Sequence, residues 1–333
     1  MTPIFAVPRG AAYTVPAETV EFEQAGKRDP LAVARAVKLI RSVKPDLVAT
    51  HTRPVDLWAG LAARLARVPS CATLHAEPAR APDGSTRTGP RARAHGHVLR
   101  LHRRVIVVAR PFIELAVARL RVPRERLVLV ENGVDLLAFA PSPEKRARAR
   151  AALGIAGDEV AFGCIARFVD RGSEEKGQPD LVRALAHARG SFGVHFVGEG
   201  PSLERVRALA AGDTRCVFHG EVKGATHAFD ALVLASRSEG CPYALLEGLA
   251  AGLHVVAAST GGIPEILEEG AGVLVPPACP RALGAALDEV ARSAVSPNAR
   301  GLERARARYG LARFGRETAA VYRSVILSAM SRS

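Results

Sequence analysis

The feature that most constrains this chain is an alternation of short apolar runs with longer amphipathic stretches. In the first half DLVATHT (46–52), SCATLHA (70–76), RVIVVAR (104–110) and RLVLVEN (126–132) are short runs with apolar centres that read as buried strands, whereas DPLAVARAVKLIRSVKP (29–45) and VDLWAGLAARLARVP (55–69) carry a helical pattern. In the second half VAFGCIAR (160–167), FGVHFVGEG (192–200), RCVFHG (215–220), ALVLAS (231–236), HVVAAS (254–259) and GVLVPP (272–277) read as strands, with helices expected at 178–190, 202–212, 243–252 and 280–293. A strand that is apolar at every position is covered on both faces, and helices between strands supply the crossovers of a parallel sheet. The pattern predicts α/β architecture with two doubly wound, Rossmann-like domains. The polar, Pro-containing stretch APSPEKRARARAALG (140–154) is the natural boundary. It divides the chain into an N-terminal domain over 1–148 and a C-terminal domain over 149–310, followed by a C-terminal helix over 311–333 expected to pack back on the first domain.

Composition narrows the function classes. At 333 residues, 48% apolar and 24% charged, the chain can bury two cores. Its five cysteines (Cys71, Cys164, Cys216, Cys241, Cys279) are odd in number and form no CxxC pair. Neither a disulfide framework nor a zinc knuckle is indicated, and a reducing cytoplasm is the expected compartment. No run approaches the roughly 18 apolar residues of a membrane span, and the start lacks a leader pattern, so the expectation is a soluble protein, peripheral at the inner membrane. The net charge of +13 is unevenly placed: residues 1–150 hold 26 Lys and Arg against 13 Asp and Glu, and residues 151–333 hold 20 of each. A basic first domain suits an anionic membrane surface, a phosphate-bearing acceptor or nucleic acid, and equally a plain solvated surface. Aromatic residues at 5%, with no zinc-finger, RNA-recognition or helix-turn-helix pattern, set nucleic acid aside. The densest basic run is RTGPRARAHGHVLRLHRR (87–104), whose His95, His97 and His102 read as surface residues.

Open parallel sheets bind ligands beyond the carboxyl ends of their strands. Arg167, Lys176 and Gly177 follow the run at 160–167, and the turn from Gly198 to Pro201 follows 192–200. After 231–236 comes SRSEGCP, with Glu239 in the loop and Pro242 placed to open a helix that contains Glu247. After 254–259 come Thr260, Gly261 and Gly262, then Glu265. Glycine-rich turns entering helices offer N–H groups to an anion. An arginine fork and a lysine point charge neutralise a diphosphate, and a carboxylate accepts from both hydroxyls of a vicinal diol. These groups read together as a nucleotide-sugar site.

Four stretches stand in order, each at a strand end: IAR…EKG (165–177), VGEGP (197–201), EGCPYALLE (239–247) and GGIPE (261–265), with ENGVD (131–135) ahead of the linker. On these motifs the region from about 126 to 277 resembles the retaining GT-B-fold glycosyltransferases of glycosyltransferase family 4, the E-x7-E type. The resemblance implies two domains facing across a cleft. It also implies a retaining, metal-independent hexosyltransferase-like activity that moves a sugar from a nucleotide-sugar donor to an acceptor hydroxyl, as in bacterial cell-envelope or lipid-linked glycan synthesis. No cofactor is implied, the donor being a co-substrate, and the implied partners are that donor and a saccharide or lipid-linked acceptor, with an anionic membrane surface alongside. Residue by residue, it assigns Arg167 and Lys176 to the donor diphosphate and Glu247 to the ribose hydroxyls. Glu239 and His75 are assigned to the transferred sugar as the catalytic pair, His75 from across the cleft. The backbone at Gly198, Gly240, Cys241, Pro242, Tyr243, Gly261 and Gly262 is assigned to the sugar and phosphates. His51 is either an acceptor-side or a structural histidine. The sequence departs from the family pattern at Ala166, where a glycine is usual, and in the longer gap from Arg167 to Lys176. The match to the family's opening elements begins only near residues 30–52, so the N-terminal domain is expected to lack the usual first strand, Gly-rich loop and helix, unless residues 3–13 supply the strand. A fold-retaining partner subunit without turnover, and another sugar-nucleotide enzyme such as an epimerase, are the alternatives.

Overall fold

The computed structural model describes residues 4–8, 18–22, 31–51, 53–75, 90–169, 176–293 and 296–331, the strands at 4–8 and 18–22 by their backbone. Strands β1 (Ile4–Pro8) and β2 (Glu18–Phe22) pair in parallel, from Ile4 opposite Glu18 to Pro8 opposite Phe22, as a sheet of two. A second parallel sheet has the order β3 (Val48–Thr50), β4 (Ser70–Leu74), β5 (Arg104–Val107), β6 (Leu127–Leu129). Its crossovers are α2 (Arg53–Leu65), α3 (Pro90–Leu99) and α4 (Arg110–Leu120), and α1 (Ala32–Val43) leads into it. All five residues of β4 are buried, as expected for an inner strand. Ala32, Ala36 and Ile40 recur every fourth residue on the buried face of α1, and Ala36 and Ile40 join Ala62 and Ala63 of α2 in one apolar cluster.

Helix α5 (Pro143–Leu153) opens the second domain and is closed at both ends by local chemistry: the Ser142 hydroxyl accepts from the Lys145 N–H at 3.2 Å, and Gly154 ends it with a φ of 66°. The six-stranded parallel sheet that follows has the order β12-β11-β10-β7-β8-β9. Its strands are β7 (Ala161–Ile165), β8 (Gly193–Val197), β9 (Cys216–Phe218), β10 (Ala231–Leu234), β11 (His254–Ala258) and β12 (Val273–Val275). The helices α6 (Gln178–Leu185), α7 (Leu203–Leu209), α8 (Tyr243–Ala250), α9 (Ile263–Ile266) and α10 (Pro280–Ser293) connect them. Strand order reverses between β7 and β10, which sets the ligand-binding edge at the loops after β7, β8, β10 and β11.

Helix α11 (Ala299–Arg308) packs on α8, and the chain then returns to the first domain. At the crossing the Val134 N–H donates to Tyr309 O at 2.8 Å and the Leu311 N–H donates to Val134 O at 3.0 Å. Helix α12 (Leu311–Met330) lies against β4, where Val321, Phe314 and Tyr322 join Cys71, Ile106 and Val130 in one cluster. Tyr309 at the crossing is fully buried within the main apolar cluster.

The basic run at 87–104 differs from the surface expected of it. His102 is fully buried: its ring lies over Gly60, its Nε2 is 3.1 Å from Asp56 O, and burial lowers its pKa to about 4. Arg103 donates to Ser328 O of α12 at 3.0 Å, and Arg126 donates to Arg100 O at 2.6 Å. The local sequence is basic, but its side chains satisfy carbonyls of neighbouring elements. His97 is exposed as expected, and Arg91 lies outside the residues whose side chains are described.

Candidate active site

The loops after β7, β10 and β11 meet where the strand order reverses. Lys176 begins the short approach to α6, and its Nζ lies 2.7 Å from Glu239 Oε1 in the loop after β10. The two side chains are 25% and 12% exposed, so the pair is largely shielded and neutralises itself. Arg167, just past β7, is exposed, and its carbonyl accepts from Gln178 Nε2 at 3.1 Å. Among the described residues its guanidinium has no carboxylate partner. A fork-shaped cation thus stands open beside an ammonium already satisfied.

Glu247 sits in α8, half-buried, and burial raises its pKa. Among the described residues no cation pairs with it. A carboxylate in that state has acceptor capacity to offer and gains from hydroxyl donors. Pro242 precedes α8 in extended conformation, so the first-turn amides of Tyr243 and Ala244 lack intrahelical acceptors. Tyr243 itself is 48% exposed, whereas Cys241 is buried with its thiol pushed up to about 12 and is no nucleophile. Asn132, from the ENGVD stretch, donates Nδ2 to Cys241 O at 2.7 Å and fixes this loop from the end of the first domain.

The loop after β11 is pressed onto the loop after β10. The Gly262 N–H donates to Glu239 O at 3.4 Å. Gly261 has a φ of 55°, and a Cβ there would fall 1.6 Å from Glu239 O, so only glycine fits. The Gly198 N–H is taken by Gly220 O at 2.6 Å, so it is committed to holding the turn after β8. Glu265 reaches the other domain: its Oε2 accepts from the Arg110 N–H at 3.2 Å, capping the start of α4, and burial raises its pKa.

The first domain meets this rim at His75. A Cβ on Gly240 would lie 2.8 Å from His75 O, which measures how closely the two domains abut beside Glu239. His51 Nδ1 and His75 Nε2 are 3.1 Å apart with ring centroids at 5.4 Å. Both rings keep solvent access, yet the protein around them lowers both pKa values, that of His75 to about 4 by burial and then by the His51 charge. Both imidazoles are therefore neutral near pH 7, and one donates to the other. Among the described residues no cluster of three or more His, Cys, Asp or Glu stands in a metal-ligating arrangement.

The structure thus brings Lys176, Glu239, Gly240, Gly261, Gly262 and His75 together, with Arg167 and Glu247 on the same sheet edge. Sequence reasoning missed Asp180, Arg237 and Gln178, which hold these loops. Their partners are distant in sequence, and only the acid in the first turn of α6 was a visible signal.

Residues 4–136 match the sequence model described as Glycosyltransferase Family 4, and residues 159–293 match that of Glycosyl transferases group 1. The chain is 34% identical over 167 residues to the GDP-mannose-dependent alpha-(1-6)-phosphatidylinositol monomannoside mannosyltransferase of Mycolicibacterium smegmatis, covering 44% of this chain and 42% of that one. It is 33% identical over 236 residues to the D-inositol 3-phosphate glycosyltransferase of Kineococcus radiotolerans, covering 60% and 52%. The chain thus spans about half the length of these relatives. In fold it is similar to Anabaena HepE crystallised with UDP-glucose, at a TM-score of 0.75 and 22% identity over 93% of this chain and 86% of that one. A glycosyltransferase from Rickettsia africae gives a TM-score of 0.76 at 18% identity over 93% and 85%. Two glycosyltransferase family models thus match the chain in succession, one over each α/β domain, and the chain shares the two-domain fold of GT-B glycosyltransferase structures.

Proposed function

We propose that the protein is a retaining glycosyltransferase that moves a sugar from a nucleotide-sugar donor to an acceptor hydroxyl in envelope or lipid-linked glycan synthesis. The observation that carries this is the pairing of unequal groups on one sheet edge: an open arginine, a lysine held by Glu239, and a half-buried Glu247 without a cation. A donor diphosphate takes Arg167 and draws Lys176 away from Glu239, which leaves Glu239 free to accept from the transferred sugar. Glu247 accepts from the ribose hydroxyls, and its partial burial strengthens those bonds. Leaving-group charge is met by Arg167, Lys176 and the first-turn amides of α8, fixed groups that need no reorganisation as the bond breaks. His75, neutral, contributes a hydrogen bond to the sugar from the opposite rim.

A thermal-shift and calorimetric screen against UDP, GDP and ADP tests the donor site, since a ligand that binds the native state raises apparent stability. Binding of at least one nucleoside diphosphate is expected. Nucleotide sugars of the base that binds then serve in transfer assays, with the product anomer read by NMR. Binding without transfer would favour a partner subunit, and epimerised donor would favour the other enzyme class.

For the acceptor we propose a saccharide or lipid-linked molecule met at an anionic membrane surface. Among the described residues no helix is long and apolar enough to cross a membrane. Helices α1 and α2 pack together and expose Lys38, Arg41 and Lys44 on one and Leu57, Leu61, Leu65 and Arg64 on the other. Each cation near such a surface contributes about 1 kcal/mol. Co-sedimentation with phosphatidylglycerol vesicles is expected to weaken with salt and with Lys38→Glu and Arg41→Glu together, and binding unchanged by both would remove the membrane from the reading.

A further inference from the structure

One carboxylate outside the motifs ties three loops of this rim together. Asp180, in the first turn of α6 and 4% exposed, takes Arg237 through both oxygens. Arg237 Nε donates to Oδ2 at 2.9 Å and Nη2 donates to Oδ1 at 2.9 Å, while Arg183 Nη1 donates to Oδ1 at 3.1 Å. Arg237 stands two residues before Glu239, and its carbonyl accepts from the Thr260 hydroxyl at 3.2 Å, next to Gly261. On the other side, Asp180 lies one helical turn beyond Lys176, and Gln178 in the same turn donates to the Arg167 carbonyl. Lys176 and Glu239 are thus each a few residues from this fork, and Gln178 links it to the backbone of Arg167.

We propose that Asp180 and Arg237 are positioning residues for nucleoside-diphosphate binding, a reading that rests on the nucleotide-sugar site and deepens it. Two parallel N–H···O bonds fix the plane of the guanidinium as well as its distance, which a lysine point charge does not. The fork therefore sets the separation between the start of α6 and the loop after β10, and with it the approach of Lys176 to Glu239. A buried ion pair is weak evidence for stability by itself. Here its placement matters: it joins two segments whose side chains meet at the phosphate position and touches no phosphate itself.

The test is calorimetric titration of UDP and GDP into the wild-type chain, Arg237→Lys, Asp180→Asn, Lys176→Met and the double variant Arg237→Lys with Lys176→Met. Each is checked by circular dichroism and thermal melting. Arg237→Lys is expected to weaken binding by about tenfold or more, as for loss of a charge-assisted bond. In the Lys176→Met background the same change is expected to cost less than about twofold, because residues acting through one another are non-additive. A merely structural role would lower the melting temperature and leave affinity unmoved, and that result in a folded variant overturns the proposal. An undiminished tenfold loss without Lys176 overturns it too, since the fork would then act elsewhere. Asp180→Asn keeps the shape and removes the charge, so it gives the same comparison if Arg237→Lys fails to fold. Failure of the wild-type chain to bind UDP, GDP or, titrated in the same way, ADP sinks the nucleotide-sugar reading and this inference together, whereas binding unaffected by the fork sinks the inference alone.

Discussion

The two rims of the cleft use opposite means of presenting polar groups. On the C-terminal side the charges are fastened in pairs, Lys176 to Glu239 and Arg237 to Asp180, with Glu247 and Arg167 in no ion pair among the described residues. On the N-terminal side two neutral imidazoles, His51 and His75, lean on each other, and the backbone of His75 abuts Gly240. A second histidine pair makes the contrast sharper. His195 Nδ1 and His219 Nε2 are 2.9 Å apart, stacked at 5.2 Å, but Glu159 Oε1 stands 2.7 Å from His195 Nε2. A carboxylate thus fixes the polarity of the pair in the second domain, whereas among the described residues no carboxylate pairs with His51 or His75. The difference teaches that one rim is built to hold charge in place, and the other to offer hydrogen bonds that make little demand on exact domain separation.

The largest effect that would test this contrast is Glu239→Ala. Losing the group that holds Lys176, and that the proposed function sets against the sugar, is expected to lower transfer by about 100- to 1000-fold, as for removal of one preorganised electrostatic group. His75→Ala, on the neutral rim, is expected to cost nearer tenfold, the scale of one neutral hydrogen bond. Steady-state nucleotide release compares the two, and equal losses would erase the contrast. Glu247→Gln is expected to weaken donor binding by roughly 10- to 150-fold, since it removes a charged acceptor and leaves the fold alone. An unchanged donor KM would take Glu247 off the rim.

Gly261→Ala probes the fastening itself. The new Cβ clashes with Glu239 O, and the positive φ alone costs about 1–3 kcal/mol, so the melting temperature should fall and transfer with it. The smallest effect concerns pH. Glu247 has a raised pKa, so donor affinity should start to fall at a higher pH than for an ordinary carboxylate as acid protonates it. His75 is depressed from 6.5 to about 4: the unfolded chain binds the proton first, so its contribution to stability is complete above pH 6.5 and is lost as pH falls toward 4. In His75→Asn the acid limb of stability should flatten over that window, whereas the acid limb of donor affinity should persist, and the reverse would exchange the roles of the two rims.

The strands were legible because most are short, largely apolar runs between helical patterns, and β4, β7 and β10 lie within the expected runs. Glu239, Glu247 and the glycines were legible because motif spacing is local. Asp180 and Arg237 were not, being 57 residues apart and joined only by the crossover of α6 beside β10. His102 looked like surface because its neighbours in sequence are basic, yet Gly60 provides the space into which its ring folds. Arg103 likewise finds Ser328, 225 residues away. Ile4–Pro8 forms a strand, paired with Glu18–Phe22 in a sheet of two and not with the β3–β6 sheet, and the match to the family model starts at residue 4, ahead of the expected 30–52. Periodicity reports which way a residue faces locally, and it carries no information on which distant carbonyl a long side chain will reach.

The paired crossing at Val134 and Gly310 has a mechanical consequence. Two backbone hydrogen bonds tether the second crossing of the chain to the first, so any displacement of one domain against the other must either pivot at Val134 or give those bonds up.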